Sequence, residues 1–199
     1  DFGGENTVFS IGYSTPQKHW PYVLPGPLDS WAGGGYWSGF YPRHFPRIVF
    51  NLKNQVSKGT ANLIIDFTDV NAEKPTVLRV EINGHRQELN VSAGKHHTVS
   101  VEIPGNWLKK GLNIIQMGMI SGSWALFDDI RMEGDEDLQI QDIGSSLILS
   151  AKAAPFELKR GNKRIQPLLI DIIQMDKEKS ISVSIGGLPP VTKMVEKGH

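Results

Sequence analysis

Trp20, Tyr22, Trp31, Tyr36 and Trp37 crowd five flat aromatic faces into one short segment, with His19, Asp29 and His44 beside them as hydrogen-bonding groups. All four tyrosines and three of the five tryptophans lie between Tyr13 and Tyr41, and from Gly12 to Pro42 only Lys18 and Asp29 carry a full charge. The apolar C–H face of a pyranose packs on an aromatic plane, and neutral polar groups orient its hydroxyls. Residues of these types therefore suit an uncharged, hydroxyl-rich ligand such as a sugar.

Pro16, Pro21, Pro25, Pro27, Pro42 and Pro46 lie in or near the same segment, which also carries Gly33-Gly34-Gly35 and reads as neither helix nor strand. It is expected to be a long loop, and long ordered loops on a rigid scaffold commonly carry function. A loop of this composition also suits a cover folded over one end of a sandwich with its rings buried. The two readings stand side by side. Trp107, beside a turn, and Trp124, in an alternating run, are expected to pack in the core or along an edge.

Other constellations carry less. Asp128-Asp129 is a paired carboxylate, but neighbours on a strand point to opposite faces, so the two are not expected to share one site as acid and base. One of them is a candidate ligand for a structural calcium ion, although no loop of regularly spaced carboxylates accompanies it. A solvated or backbone-bonded aspartate is the favoured reading, and no cofactor is expected. His96-His97 lacks a third ligand at zinc spacing and is expected in a surface turn after Gly94-Lys95. Gly33-Gly34-Gly35 lacks the spacing and lysine of a phosphate loop, and no nucleophile elbow is present. No catalytic residue is assigned.

The 199 residues, 39% hydrophobic and 21% charged, allow one large or two small domains. A formal net charge of zero argues against a nucleic-acid surface, and the absence of cysteine excludes disulfides and thiolate metal sites. No apolar run is long enough to span a bilayer. The chain opens on Asp1, a start that a removed leader or excision from a longer protein would explain.

After the aromatic loop the texture alternates. Strands are expected at Ile48–Leu52, Ala61–Phe67, Val77–Ile82, Thr98–Ile103, Leu112–Met119 and Trp124–Met132. Leu78, Val80 and Ile82 share one face, as do Val99, Val101 and Ile103. Asn83-Gly84 marks a hairpin turn, and Asn106–Gly111 one short helical turn. The acidic patch Gly134–Asp137 marks a boundary, with further strand-like runs at Leu147–Ala151, Ile165–Ile173 and Ser180–Ile185 beyond it. The expected organisation is a jelly-roll β-sandwich over 1–134 and a smaller, incomplete β-sandwich unit over 135–199.

Several landmarks carry a resemblance. Phe9-Ser10-Ile11-Gly12 is a short apolar–Ile–Gly opening strand, and the later Ile82-Asn83-Gly84, Gly111-Leu112-Asn113-Ile114-Ile115 and Ser123-Trp124-Ala125-Leu126-Phe127-Asp128-Asp129-Ile130-Arg131-Met132 resemble landmarks of the galactose-binding-like jelly-roll group. The opening strand, the irregular aromatic stretch and the jelly roll that follows resemble the carbohydrate-binding-like module at the end of the family 4 polysaccharide lyases, the rhamnogalacturonan lyases. The stretch His19–Pro27 departs from that module as an insertion. The resemblance implies a non-catalytic glycan-binding or accessory region of a secreted or periplasmic polysaccharide-degrading enzyme. Its expected partners are an oligo- or polysaccharide and the other domains of a larger enzyme. Two alternatives are a piece of a lyase or glycoside hydrolase whose catalytic domain lies elsewhere, and a purely structural interaction module.

Overall fold

The computed structural model describes residues 8–29, 45–56, 59–74, 76–184 and 189–196. It divides into two units, Asp1–Asp142 and Ile143–His199. The first unit runs past the acidic patch because Ile140–Gln141 pair with Leu52 and Asn51 as an added edge strand.

The first unit is an all-β sandwich. One sheet contains β1 (Val8–Ser10), β3 (Arg47–Leu52), β5 (Thr76–Ile82), β6 (His85–Val91) and β8 (Gly111–Ser121), in the order β1-β3-β8-β5-β6, with β10 (Ile140–Gln141) also on β3. The other contains β2 (Val23–Leu24), β4 (Thr60–Val70), β7 (Gly94–Pro104) and β9 (Ala125–Glu133), in the order β2-β9-β4-β7. Alternation places Leu78, Val80 and Ile82 of β5, Ile115, Met117 and Met119 of β8, and Ala61, Leu63, Ile65 and Phe67 of β4 in one core. Each such large side chain contributes roughly 1.5–3 kcal/mol by leaving water. Val101 and Ile103 of β7 are buried as expected, and Val99 is half-buried against the same core.

Asn83 and Gly84 both take positive φ, 50° and 91°, which is the backbone of a type I′ turn whose twist matches the strands it joins. The turn is then locked from beneath by Asn113, which is fully buried. Asn113 Oδ1 accepts from the Lys109 amide (2.9 Å) and from Asn83 Nδ2 (2.8 Å), and its Nδ2 donates to the Lys109 (2.7 Å) and Gly111 (2.9 Å) carbonyls. That uses the whole hydrogen-bonding capacity of an amide side chain. The expected helical turn is a 3-10 turn at Gly105–Trp107, and Gly111, at φ 85°, opens β8.

The aromatic segment departs from its expected form in two places. A single helical turn, α1 (Pro16–His19), starts on a proline, whose missing N–H is not needed there and whose φ suits the first helical position. Val23 and Leu24 then form a short strand on Leu126 and Ala125 of β9. The segment is fastened by Asp29, which is 5% exposed. Its Oδ2 accepts from the Gly26 amide (2.7 Å), its Oδ1 from the Ser123 hydroxyl (2.5 Å), and the Leu28 amide donates to the Gly122 carbonyl (3.1 Å). Gly26 sits so close to the β8–β9 turn that a Cβ would lie 2.5 Å from the Gly122 carbonyl oxygen.

His96 and His97 lie within β7 and not in a turn before it, because β7 pairs with β4 from Gly94 onward. His96 is exposed with φ 56°, and His97 Nε2 donates to the Ala93 carbonyl at 2.8 Å.

The second unit is built of small sheets. Strand β11 (Ser146–Ala153) pairs antiparallel with β14 (Leu168–Gln174), β12 (Leu158–Arg160) with β13 (Lys163–Ile165), and β15 (Lys179–Val183) with β16 (Val191–Val195). Its sheets leave Ile148, Phe156, Leu158, Leu168, Val191 and Met194 exposed.

Two substitutions test the joints of the first unit. Asn113→Asp turns two donors into an acceptor facing two carbonyls and is expected to cost about 3 kcal/mol in denaturant unfolding. Gly26→Ala drives a methyl group into backbone and is expected to cost about 2–3 kcal/mol. A loss under about 1 kcal/mol from either would show that its joint is pliable.

Candidate functional site

Among the described residues the two sheets do not close along one side of the sandwich. Strand β9 pairs with β4 along its length, but on its other side it meets β2 only at Ala125 and Leu126, with one further bond from the Phe127 amide to the Tyr22 carbonyl (3.0 Å). Beyond Phe127, β9 has no strand on that side among the described residues. Strand β1, at the facing edge of the other sheet, is three residues long. A groove of about 170 Å³ lies between them. That is smaller than the roughly 300–1,000 Å³ of pockets for drug-sized ligands, and suits a single ring.

The floor of the groove is the apolar core seen from its edge: Ile48 and Ile115 from one sheet, Leu63 and Phe127 from the other. Phe9, Ile11, Pro16, Trp20 and Tyr22 form one wall. Trp20 is half-buried and meets Phe9 edge-on, with ring centroids 6.1 Å apart and planes at 87°, the arrangement that the ring quadrupoles favour. Its indole N–H is buried with no hydrogen-bond partner among the described residues. Tyr22 is 65% exposed at the rim.

The opposite wall is β9, and it carries Asp128, Asp129 and Arg131. Asp128 faces this groove because of a bulge. Asp129 pairs with Asp66 and Phe127 with Phe67, so Asp128 is an extra residue with no partner on β4. Thr68 of β4 is the compensating extra residue, and the register recovers at Asp69 and Leu126. The expectation that Asp128 and Asp129 take opposite faces assumed an unbroken pleat. The bulge leaves both exposed and both on the groove wall. Asp128 makes no hydrogen bond or ion pair among the described residues, so its oxygens are free to accept.

Arg131 is already engaged. Its Nη1 donates to Asp66 and to Asp129 (2.9 Å), and its Nε to Glu133 (3.1 Å). Thr98 adds a hydroxyl to Asp66 Oδ1 at 2.6 Å. Hydrogen bonds from Thr98 and then Arg131 hold the Asp66 carboxyl below its usual 3.8. The three carboxylates hold the Arg131 guanidinium more firmly protonated than usual.

Of the residues expected to contact a ligand, Trp20 and Tyr22 stand together on the groove wall. Asp29 lies in the clamp, with both oxygens accepting from the protein. Trp31, Tyr36, Trp37 and His44 lie outside the described residues. His19, on α1, bonds through Nδ1 to Thr15. Trp107 packs beside the core and stacks on His85, at 5.0 Å between centroids and 6° between planes, and Trp124 is half-buried. Among the described residues no group of three or more His, Asp or Glu is placed to hold a metal ion, and no helix is long and apolar enough to cross a membrane.

The Asp66 carboxyl gives a direct check on this wall. A group with a depressed folded pKa adds stability above its unfolded value and loses it as pH falls through the folded one. The contribution of Asp66 should therefore be complete above about pH 4 and vanish at lower pH. An NMR titration should place its midpoint below 3.8, and Arg131→Met or Thr98→Val should move it back up. A midpoint unmoved in both variants would contradict the hydrogen-bonded wall.

Residues 4–132 match the family described as the carbohydrate-binding-module-like domain III of polysaccharide lyase family 4. Among solved structures, a family 35 carbohydrate binding module from an environmental isolate is 26% identical, with a TM-score of 0.36, over 46% of this chain and 67% of that one. None of the curated proteins compared matches it. The matched span takes in the sandwich from β1 almost to the end of β9, both walls of the groove included, and on that match the chain belongs to the carbohydrate-binding-module-like third domains of polysaccharide lyase family 4.

Proposed function

We propose that the first unit is a non-catalytic glycan-binding module, an accessory region of a secreted or periplasmic polysaccharide-degrading enzyme. It holds one sugar ring in the groove between α1 and β9. The observation that carries this reading is the pairing of an aromatic wall, Trp20 and Tyr22, with a facing exposed carboxylate, Asp128, whose oxygens have no partner among the described residues. A sugar offers what both walls want. Its C–H face packs against a ring, and its adjacent hydroxyls donate to a carboxylate.

The groove is small and open, so a single site would bind weakly. Weak binding is sufficient for an accessory module, because tethering raises the effective concentration of an attached catalytic domain on its polymer. The family membership supports the same reading, since the domain type is named for its likeness to carbohydrate-binding modules.

Affinity electrophoresis of the full chain against a panel of soluble polysaccharides tests it. Tyr22→Ala and Asp128→Ala alter exposed side chains and should leave the far-UV circular dichroism unchanged. Each is expected to weaken retardation roughly 3- to 10-fold, the range of one stacking contact or hydrogen bond. Retardation by no polysaccharide, together with a defined oligomer in solution, would replace this reading with an interaction module. Cleavage of a polymer by the chain would overturn the non-catalytic part.

A further inference from the structure

The rim of the groove carries a charge pattern that selects among glycans. Of the described residues that line it, Asp128 and Asp129 are acidic and Arg131 is the one base. Arg131 is bonded to Asp66, Asp129 and Glu133. The five groups, four carboxylates against one guanidinium, leave a formal charge of −3 on and beside the β9 wall. Engaged through Nε and Nη1, the guanidinium keeps Nη2 for a ligand, but its single positive charge is already outnumbered by the three carboxylates bonded to it.

We infer that this groove takes uncharged glycans and rejects uronate polymers, an inference that rests on the glycan-binding reading above. A uronate carboxylate brought into the groove meets Asp128 and Asp129, and the one base among the described lining residues, Arg131, is already paired with carboxylates, so like charges brought together oppose binding. A neutral sugar meets no such penalty, and its hydroxyls donate to Asp128. The discrimination is electrostatic and at the surface, so salt should weaken it.

The test compares polymers that share a backbone and differ in charge: highly methyl-esterified homogalacturonan against polygalacturonate, and unsubstituted xylan against glucuronoxylan, with a neutral galactan added. Binding of the full chain is measured in EDTA, so that no divalent ion bridges carboxylates, at about 20 mM and about 0.5 M sodium chloride. At low salt the neutral member of a bound pair should bind roughly tenfold tighter, and the ratio should fall toward one at high salt. Asp128→Asn and Asp129→Asn keep a hydrogen-bond acceptor while removing a charge, and each should narrow the low-salt ratio. Equal or tighter binding of the uronate polymer at low salt overturns the inference and leaves the glycan-binding reading standing. A neutral preference that salt and both variants leave unchanged also overturns it, because the selection would then be steric. Binding of no polymer in the set overturns both readings together.

Discussion

A buried carboxylate must be satisfied where it lies, and Asp29 is satisfied by the two pieces of chain that it joins. One oxygen takes the Gly26 amide of the same segment and the other the Ser123 hydroxyl of the β8–β9 turn, so the carboxylate, held out of water, keeps its partners only while the segment stays seated on that turn. Gly26 permits the approach, because any side chain there would meet the backbone of that turn. With the segment fastened at Pro25–Asp29 and at β2, Trp20 and Tyr22 are held against the sandwich edge. The groove therefore depends on a residue that does not line it.

The second constraint is the two-residue period of a strand, and here it is broken twice in register. On β9 the buried positions run Ala125 and Phe127, then Ile130 and Met132 turn toward the same core. On β4 they run Ala61, Leu63, Ile65 and Phe67, then Val70. Each pattern slips by one residue, at Asp128 and at Thr68, and the paired slips cancel so that both strands still fill one core. The extra residue on β9 is the one thrown outward, unpaired, beside the aromatic wall. A bulge commonly re-aims a side chain in this way at the edge of a sheet.

Polar residues inside the sandwich follow the same logic at its other end. Asn113 spends every donor and acceptor it has on the turns around it, which explains why an amide rather than a leucine begins the core run of β8. The polar face of the second sheet is arranged differently. Asp66, Thr98, Asp129, Arg131 and Glu133 form one exposed network, worth more for the charge it presents than for the stability that such screened pairs add.

Much of the fold was legible in the residues. Alternation located the long strands and their inward faces, and Asn83-Gly84 announced its turn, because strand period and turn chemistry are local properties. The aromatic segment was legible as a distinct stretch of the chain, and two of its rings, Trp20 and Tyr22, stand on one groove wall. The bulge at Asp128 was also written there, in the apolar spacing that passes from Phe127 to Ile130, but regular alternation was assumed across it. What only the tertiary structure decided were the relations between distant segments. It made Asp29 the clasp of the segment through Ser123, opened the sandwich edge where β2 stops short, and gathered Asp66 and Thr98 around Arg131. Those outcomes depend on which strands lie side by side, and pairing over long separations is set by the shared core and not by any local run of residues.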